Sequence, residues 1–173
     1  MSTILIGFCA SRADCGKTTL LLKIVAELRA RNIKVGVIKH GQHLHIDPSK
    51  DSSRYAAAGA QAAFFIAPQG WILESRPEKE MALEEAAALL SGVSGCEVVL
   101  AEGYKNAAID KIAVYRSAIS LELPCESGEL IAAVGDVPLA VDLPQYRFED
   151  IGLICDLILS RRPAKEKDSP GEI

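Results

Sequence analysis

The sequence predicts an α/β fold in which helices cover both faces of a mostly parallel sheet, giving three layers. Short runs of β-branched and apolar residues, typical of strands buried on both faces, recur along the chain. Longer segments with apolar residues at helical spacing separate several of these runs, as parallel crossover connections require. The 173 residues are 49% hydrophobic and 24% charged, which indicates a globular chain that folds without disulfides or a structural metal.

The predicted fold begins with a strand, a helix and a second strand. Residues 3–8 form a continuous apolar run that predicts the first buried strand. Residues 17–31 carry leucine, isoleucine and valine at helical spacing, and residues 34–39 predict the second strand. Because a helix connects the two strands, we expect them to be parallel with a right-handed crossover.

The rest of the chain continues the same alternation. After a polar loop, Asp51 is expected to cap a short helix that runs through Arg54 to Ala58 and ends at Gly59. Further strands are predicted over residues 62–67, 71–74, 97–101, 111–116 and 130–134, and further helices over residues 78–90 and 148–159. We therefore predict one domain over residues 1–160 and a disordered charged tail over residues 161–173.

Charge, cysteine usage and hydropathy narrow the classes of partner and compartment. A formal net charge of -4 and a pI near 5.4 leave no basic field for a nucleic acid or an anionic membrane, so partners are expected to be proteins or small molecules. The five cysteines form no C-x-x-C pair, which favours a reducing compartment. No apolar run approaches the roughly 20 residues that span a bilayer, and none is typical of a signal peptide. The expected location is the cytoplasm.

The loop after the first strand carries the strongest motif. Residues 11–18 read S-R-A-D-C-G-K-T, which matches the end of the phosphate-binding pattern G-x-x-x-x-G-K-[ST] with serine at its first position. The loop lies between a strand and a helix, where backbone amides converge on an anion. Gly16 would allow close approach of the backbone, Lys17 would reach the terminal phosphates and Thr18 would bind magnesium. The alternative is a simple turn with Lys17 facing solvent.

Asp14 places a carboxylate inside this loop. At about 6 Å and an effective dielectric of about 40, its repulsion of a phosphate costs roughly 1 to 2 kcal/mol, or up to about tenfold in affinity. Arg12 is close enough in sequence to offset part of this repulsion. The loop is therefore expected to bind phosphate more weakly than one without the carboxylate.

A triphosphate site also needs an acid near the magnesium ion, and the sequence offers two candidates. Glu102 directly follows a buried strand and so should lie at the carboxyl edge of the sheet, where ligands bind in this fold class. Asp51 is the second candidate, for which a metal role and a helix-capping role are equally weighted. Both are carried forward as candidate metal residues.

The three histidines stand together after the second predicted strand, at His40, His43 and His45. Such a cluster can ligate zinc, but the spacing is irregular and no cysteine is near, so a structural or surface role is favoured. Lys39 and His40 end the strand, facing either the phosphate site or an acidic partner.

Several short segments, in this order, identify a family. Besides the loop they are Ile38-Lys39-His40 with His43, Lys50-Asp51-Ser52 with Arg54, Ala58-Gly59-Ala60, Glu102-Gly103-Tyr104-Lys105 and Lys111-Ile112. Together they resemble the family of MobB, the molybdopterin-guanine dinucleotide biosynthesis protein B, over about residues 3 to 160. No one of these segments is sufficient alone, and the specificity lies in their combination.

The resemblance implies a P-loop protein that binds GTP and Mg²⁺, hydrolyses GTP weakly and forms a homodimer. It implies a role in assisting molybdopterin guanylyltransferase, which joins GMP to molybdopterin, together with other molybdopterin-handling proteins. The implied phosphate and magnesium residues are Asp14, Cys15, Gly16, Lys17, Thr18 and Thr19 of the loop, with Lys17 as the catalytic residue and Glu102 as the acid. Where the family commonly has S-G-x-G-K-T, this chain has A-D-C-G-K-T, so Asp14 replaces a glycine.

The resemblance also implies a guanine-binding residue. Asp136 lies where the family has an aspartate after an apolar strand, and a carboxylate is suited to accept hydrogen bonds from N1 and N2 of guanine. Taken alone, Asp136 is an aspartate at the end of a strand, for which a turn is the ordinary role.

Two other functions compete with a GTP-binding accessory protein. A small-molecule kinase of the same fold needs an acceptor pocket and usually an arginine-bearing lid, whereas Arg54, Arg76 and Arg116 are scattered along the chain. A nucleotide-free adaptor with a degenerate P-loop, which binds the cofactor or partner enzymes, is supported by Asp14. The retained Lys17, Thr18 and Glu102 favour a nucleotide site over that alternative.

Overall fold

The computed structural model describes residues 3–41, 43, 47, 49–124 and 129–162. Two compact units are present, one formed by Met1–His40 and Leu83–Ile173 and called the sheet unit, and one formed by Gly41–Ala82 and called the hairpin unit. Of the tail for which disorder is predicted, residues 163–173 lie outside the described residues, as does His45 of the histidine cluster.

The described residues form eight strands and four helices. In chain order they are β1 (Ile4–Cys9), α1 (Lys17–Ala30), β2 (Val35–Lys39), α2 (Asp51–Ala57), β3 (Ala62–Ala67), β4 (Gly70–Ser75), α3 (Leu83–Ser94), β5 (Val98–Glu102), β6 (Lys111–Val114), β7 (Leu130–Val134), β8 (Gln145–Tyr146) and α4 (Ile151–Ser160). Six strands form one sheet in the order β2-β5-β1-β6-β7-β8, and every neighbouring pair is parallel. The predicted α/β class with a mostly parallel sheet is confirmed.

The sheet is buried on both faces because successive strand residues point in opposite directions. On one face Ile4, Ile6 and Phe8 of β1 belong to the main core cluster, together with buried residues of α1 and α4. On the other face Leu5 packs against a smaller cluster that includes Ala87 of α3. Continuous apolar strands therefore produce the three predicted layers.

Two predicted helices and one predicted strand differ from the structure by two or more residues. The strand predicted over 111–116 ends at Val114, and the helix predicted over 148–159 spans Ile151–Ser160. The helix predicted over residues 78–90 begins at Leu83 and ends at Ser94. A start at Leu83 is favoured because it places Glu84 and Glu85 in the first turn, where carboxylates interact favourably with the helix dipole. Its end is set by Gly95, which has a φ of 65° and whose amide donates to the carbonyl of Ser91. Gly92 is accommodated inside the helix.

The hairpin unit contains α2 and the antiparallel pair β3 and β4. The two strands are joined by a two-residue turn, since Ala67 pairs with Gly70. The strands expose large apolar side chains: Phe64, Phe65, Ile66, Trp71, Ile72 and Leu73. These six residues are referred to below as the hairpin apolar surface.

The four helices are short or polar. Within the described parts of the chain, no helix has both the length and the hydropathy needed to cross a bilayer.

Candidate functional site

The site is built at the carboxyl edge of the sheet, where β1 leads into α1. Cys15 is fully buried in the main core cluster and anchors the loop, so its thiol is not available to a ligand. Gly16 stands at the helix N-cap with a φ of 89°, and no side chain caps the helix. The first turn holds Lys17, Thr18 and Thr19 and no acidic residue. The uncapped amides and the helix dipole therefore provide a ready anion site.

The backbone of the loop also explains Asp14. This residue has a φ of 60°, in the left-handed region. Glycine adopts this conformation without strain, and aspartate is among the few other residues that tolerate it. The position where the resembled family has glycine is thus a left-handed position in this chain, and Asp14 satisfies the backbone while adding a negative charge.

Thr18 and Glu102 meet beside the loop. The hydroxyl Oγ1 of Thr18 donates to Oε1 of Glu102 at 2.9 Å. Glu102 is the last residue of β5, lies in register with Phe8 of the adjacent β1 and is only 8% exposed. The two residues predicted to serve the same metal are therefore brought into contact, although 84 positions separate them.

The polarity of this hydrogen bond suits a hard cation. A carboxylate can only accept, so the hydroxyl proton of Thr18 is directed at Glu102 and the oxygen lone pairs remain for a metal. Hydroxyl and carboxylate oxygens are the protein ligands that Mg²⁺ prefers, usually with water and phosphate completing its octahedron. The residues present therefore fit magnesium bound with a nucleotide: Thr18 would be the direct ligand and Glu102 would act through water.

Lys39 is a third residue beside Thr18 and Glu102. Its Nζ lies 3.5 Å from the same Oε1 of Glu102, and the two residues are register partners on β2 and β5. The backbone continues the pairing, because the amide of His40 donates to the carbonyl of Glu102 at 2.9 Å. Gly103 follows with a φ of 113°, and a Cβ there would lie 3.1 Å from the Cβ of His40. The chain therefore needs a glycine directly after Glu102.

Asp51 belongs to the hairpin unit, whereas Thr18, Lys39 and Glu102 belong to the sheet unit. It is the first residue of α2, and Lys50 occupies the N-cap, so the predicted capping role is wrong. Its carboxylate instead pairs with Arg54 of the same helix at 3.3 Å, with both side chains largely exposed. The register of the helix is shifted by one residue because Lys50 already has extended backbone angles. A metal role for Asp51 stays a prediction.

Asp136 lies after β7 on the other side of β1. Its two carboxylate oxygens accept hydrogen bonds from Ser117, one from the backbone amide at 2.8 Å and one from the hydroxyl at 3.0 Å. These bonds, the amide bond first, hold the pKa of Asp136 below its ordinary value. A carboxylate offers about four lone-pair sites, so acceptor capacity remains for a guanine edge.

Close packing holds the segment that carries Asp136. A Cβ on Gly135 would lie 2.1 Å from a ring carbon of Tyr115, so only glycine fits between β7 and this ring. The phenol of Tyr115 donates to the carbonyl of Val137, and burial raises the pKa of the phenol. The residues on both sides of Asp136 are thereby fixed against the end of β6.

Arg116 is a site residue that sequence reasoning missed. Its guanidinium lies over the ring of Phe148, 4.2 Å from the ring centroid, and its Nε and Nη2 lie 3.4 Å from the position that a Cβ on Gly16 would take. The sequence showed it only as one of several scattered arginines. The signal was available, because Arg116 ends the strand predicted over 111–116 and so had to lie at the same edge of the sheet as Glu102.

The histidines form no metal centre in the described part of the chain. The rings of His40 and Tyr104 lie 5.0 Å apart, tilted by 48°. Among the described residues there is no group of three or more histidine, cysteine, aspartate or glutamate side chains placed to hold a metal. His45 lies outside those residues, so the cluster as predicted is only partly covered.

Comparisons with known proteins agree with the resemblance in the motifs. The sequence model of the family described as MobB, molybdopterin guanine dinucleotide synthesis protein B, matches residues 5–136. A molybdopterin-guanine dinucleotide biosynthesis adapter protein of Escherichia coli (strain K12) is 34% identical over 157 residues, covering 87% of this chain and 89% of its own length. A protein of the same name from Haemophilus influenzae is 33% identical over 145 residues, covering 83% of this chain and 81% of its own length.

Solved structures show the same fold. The crystal structure of Bacillus subtilis MobB superposes with a TM-score of 0.70 at 21% identity, covering 90% of this chain and 96% of that one. At this identity the likeness concerns the fold alone.

Proposed function

The chain belongs to the MobB family of molybdopterin guanine dinucleotide synthesis proteins, and on that premise we propose that it is a GTP-binding adapter of molybdenum cofactor biosynthesis. In this role it assists the attachment of GMP to molybdopterin, acting with a molybdopterin guanylyltransferase. The observation that carries the nucleotide part of the proposal is the Thr18–Glu102 hydrogen bond beside the uncapped start of α1. The adapter part rests on the names of the relatives.

The loop and helix start hold the phosphates of the nucleotide in this proposal. The amides of the segment from Asp14 to Thr19 donate to the phosphate oxygens, and Lys17 adds a positive charge at the terminal phosphates. Thr18 and, through water, Glu102 would hold a magnesium ion, which would supply neutralisation of the phosphate charge. Lys17 also stabilises charge that develops during slow phosphoryl transfer to water, which accounts for a weak GTPase activity.

Guanine preference is assigned to Asp136. Its carboxylate accepts hydrogen bonds from N1 and N2 of guanine, whereas adenine offers no donors at the equivalent N1 and C2 positions. Ser117 orients the carboxylate through its two hydrogen bonds. GTP is therefore expected to bind in preference to ATP.

A homodimer is also part of the proposal, and the hairpin apolar surface supports it. Phe65 and Ile72 are cross-strand partners on one face of the hairpin and are 62% and 67% exposed. On the other face Phe64 and Trp71 make an edge-to-face contact with ring centroids 5.3 Å apart. A groove of about 360 Å³, lined by Tyr55, Phe64 and Phe65 among others, adjoins this surface. Exposed apolar patches of this kind are typical of association sites.

A reducing compartment such as the cytoplasm is the proposed location. Cys9, Cys15, Cys96 and Cys155 are all buried. Burial raises the pKa of the Cys155 thiol to about 11, which keeps it protonated and unreactive. Cysteines used as small buried apolar residues are typical of proteins kept reduced.

A second function is favoured by one observation. Asp14 places an exposed carboxylate in the loop, and a nucleotide-free adaptor that binds the cofactor or partner enzymes would tolerate this charge. The two functions make opposite predictions about GTP, so one experiment separates them.

The test is a calorimetric titration of GTP and of ATP, each with Mg²⁺, into the protein and into the variant Lys17→Ala. We expect GTP to bind more tightly than ATP and its binding to be lost in the variant. Lys23→Ala is the matched control, because Lys23 is an exposed lysine on the same helix α1. Absence of binding of either nucleotide to the unaltered protein contradicts the proposal and supports the nucleotide-free adaptor.

A further inference from the structure

The terminal-phosphate side of the site contains a lysine that the phosphate-binding motif does not include. Lys39 ends β2, its side chain is 63% exposed, and its Nζ lies 3.5 Å from Oε1 of Glu102. The same oxygen accepts the hydrogen bond from Thr18. Lys39 of β2 and Thr18 of α1 therefore both contact one carboxylate oxygen of Glu102, the last residue of β5, at the edge of the sheet.

The order of the strands fixes which end of a nucleotide lies near Lys39. Strand β1, which leads into the loop, lies between β5 on one side and β6, then β7, on the other. Asp136 and Arg116 follow β7 and β6, so the base is on that side. Glu102 and Lys39 end β5 and β2, on the opposite side. A nucleotide whose base is at Asp136 thus extends its terminal phosphate across the loop toward Glu102 and Lys39.

The balance of charge at the terminal-phosphate end of the site indicates a role for Lys39. The loop supplies Arg12 and Lys17 as cations, whereas Asp14 and Glu102 each contribute a carboxylate at this end of the site. A nucleoside triphosphate carries more negative charge than a diphosphate, and the added charge is at its terminal phosphate. Lysine binds phosphate as a compact charge on a flexible stem, and an exposed side chain can turn from a carboxylate to a phosphate oxygen without unfolding the edge.

We propose that Lys39 contacts the terminal phosphate of GTP and thereby distinguishes the triphosphate from GDP. This inference rests on the proposed function and deepens it, because it assigns a residue outside the loop to recognition of the nucleotide state. Backbone pairing of His40 with Glu102 and the register of β2 with β5 hold the backbone of Lys39 in place. The discrimination comes from the ammonium group.

The experiment compares a non-hydrolysable GTP analogue with GDP, each with Mg²⁺, in calorimetric titrations of the whole chain. Lys39→Gln is expected to weaken the analogue about tenfold and GDP by less than about twofold, as loss of one charged hydrogen bond predicts. Lys39→Arg is expected to restore binding of the analogue, because arginine also donates to phosphate. Lys34→Gln is the matched control, since Lys34 lies just before the other end of the same strand.

The outcomes separate this inference from the function on which it rests. If the unaltered protein binds neither nucleotide, the proposed function fails and the role of Lys39 fails with it. If both nucleotides bind, and Lys39→Gln weakens them equally or leaves the analogue unaffected, only the role of Lys39 is overturned. A selective loss of the analogue with rescue by arginine supports it.

Discussion

Asp14 shows how one residue can satisfy the backbone of a site and oppose its ligand. The left-handed φ of 60° restricts this position to glycine and a few polar residues. Aspartate meets that requirement, but its exposed carboxylate lies in a loop proposed to hold phosphate. Backbone conformation and charge can therefore be varied separately.

Removing the charge of Asp14 is expected to tighten GTP binding. Asp14→Asn keeps a side chain that tolerates the left-handed conformation, and Asp14→Gly removes all strain, so both should raise affinity by up to about tenfold, from relief of roughly 1 to 2 kcal/mol of repulsion. Asp14→Ala should gain less, because alanine at this φ costs about 1 kcal/mol. Calorimetric titration of GTP with Mg²⁺ measures all three.

The control for Asp14 is Glu97→Gln, which removes a carboxylate just before the start of β5, away from the carboxyl edge. Its GTP affinity should equal that of the unaltered protein. Unchanged affinity in Asp14→Asn would show that the carboxylate does not oppose the phosphates.

Arg116 is expected to support the loop rather than to distinguish phosphates. Its guanidinium lies near Gly16, 3.4 Å from where a Cβ would stand, and stacks on Phe148 on the base side of β1. Arg116→Met keeps an apolar stem and removes the charge and the stacking on buried Phe148, and a cation–π contact is worth about 0.5 to 2 kcal/mol, more when it is desolvated. GTP and GDP should therefore both weaken by the same factor, of about three to tenfold with the lost charge included.

Titration of both nucleotides into Arg116→Met measures this effect, with thermal unfolding as the check that the fold is kept. Arg116→Lys is the informative companion, because lysine retains the charge but does not reproduce the planar stacking. A selective loss of GTP over GDP would contradict the supporting role and place Arg116 at the terminal phosphate.

At the scale of elements, the strands of the sheet were predictable because burial on both faces leaves continuous apolar sequence. The strand predicted over 130–134 is confirmed as Leu130–Val134. Strand β8 has only two residues, Gln145–Tyr146, too few to leave a pattern, and it was missed. The start of α3 was placed too early because the acidic stretch before Leu83 also fits the polar face of a helix.

The same reasoning explains how much of the site could be predicted. Glu102 was found because a carboxylate directly after an apolar strand must lie at the edge where the loop opens, and the structure brings it to Thr18. Its contact with Lys39 depends on β2 and β5 being neighbours, a pairing between strands distant in sequence that local patterns do not specify. The contact of Arg116 with Gly16 likewise depends on β6 lying beside β1.

At the scale of the whole molecule, the chain and its proposed ligand are both negatively charged, so the net charge of the chain opposes binding. A protein with a formal charge of -4 gains no general attraction for a triphosphate. Binding must come from local groups: the uncapped amides at the start of α1, Lys17, Arg116 and, as we propose, Lys39. Affinity is therefore expected to depend on these few groups and on magnesium rather than on long-range steering.

The hairpin apolar surface leads to a prediction about assembly. A two-stranded hairpin is marginally stable alone, and burying a phenylalanine or isoleucine contributes about 1.5 to 3 kcal/mol. If two copies of the chain bury Phe65 and Ile72 against each other, Phe65→Glu with Ile72→Glu places charges in an apolar interface and should convert a dimer to a monomer. Analytical ultracentrifugation over a range of concentrations measures this change.

Leu22→Glu is the matched control, because Leu22 is an apolar residue of α1 that is 67% exposed, as Ile72 is, but lies in the sheet unit. It should leave the dimer intact. GTP binding should persist in the hairpin variant, since the proposed nucleotide residues other than Asp51 lie in the sheet unit. An unaltered protein that sediments as a monomer at every concentration, or a hairpin variant that still dimerises, would show that this surface does not join two copies.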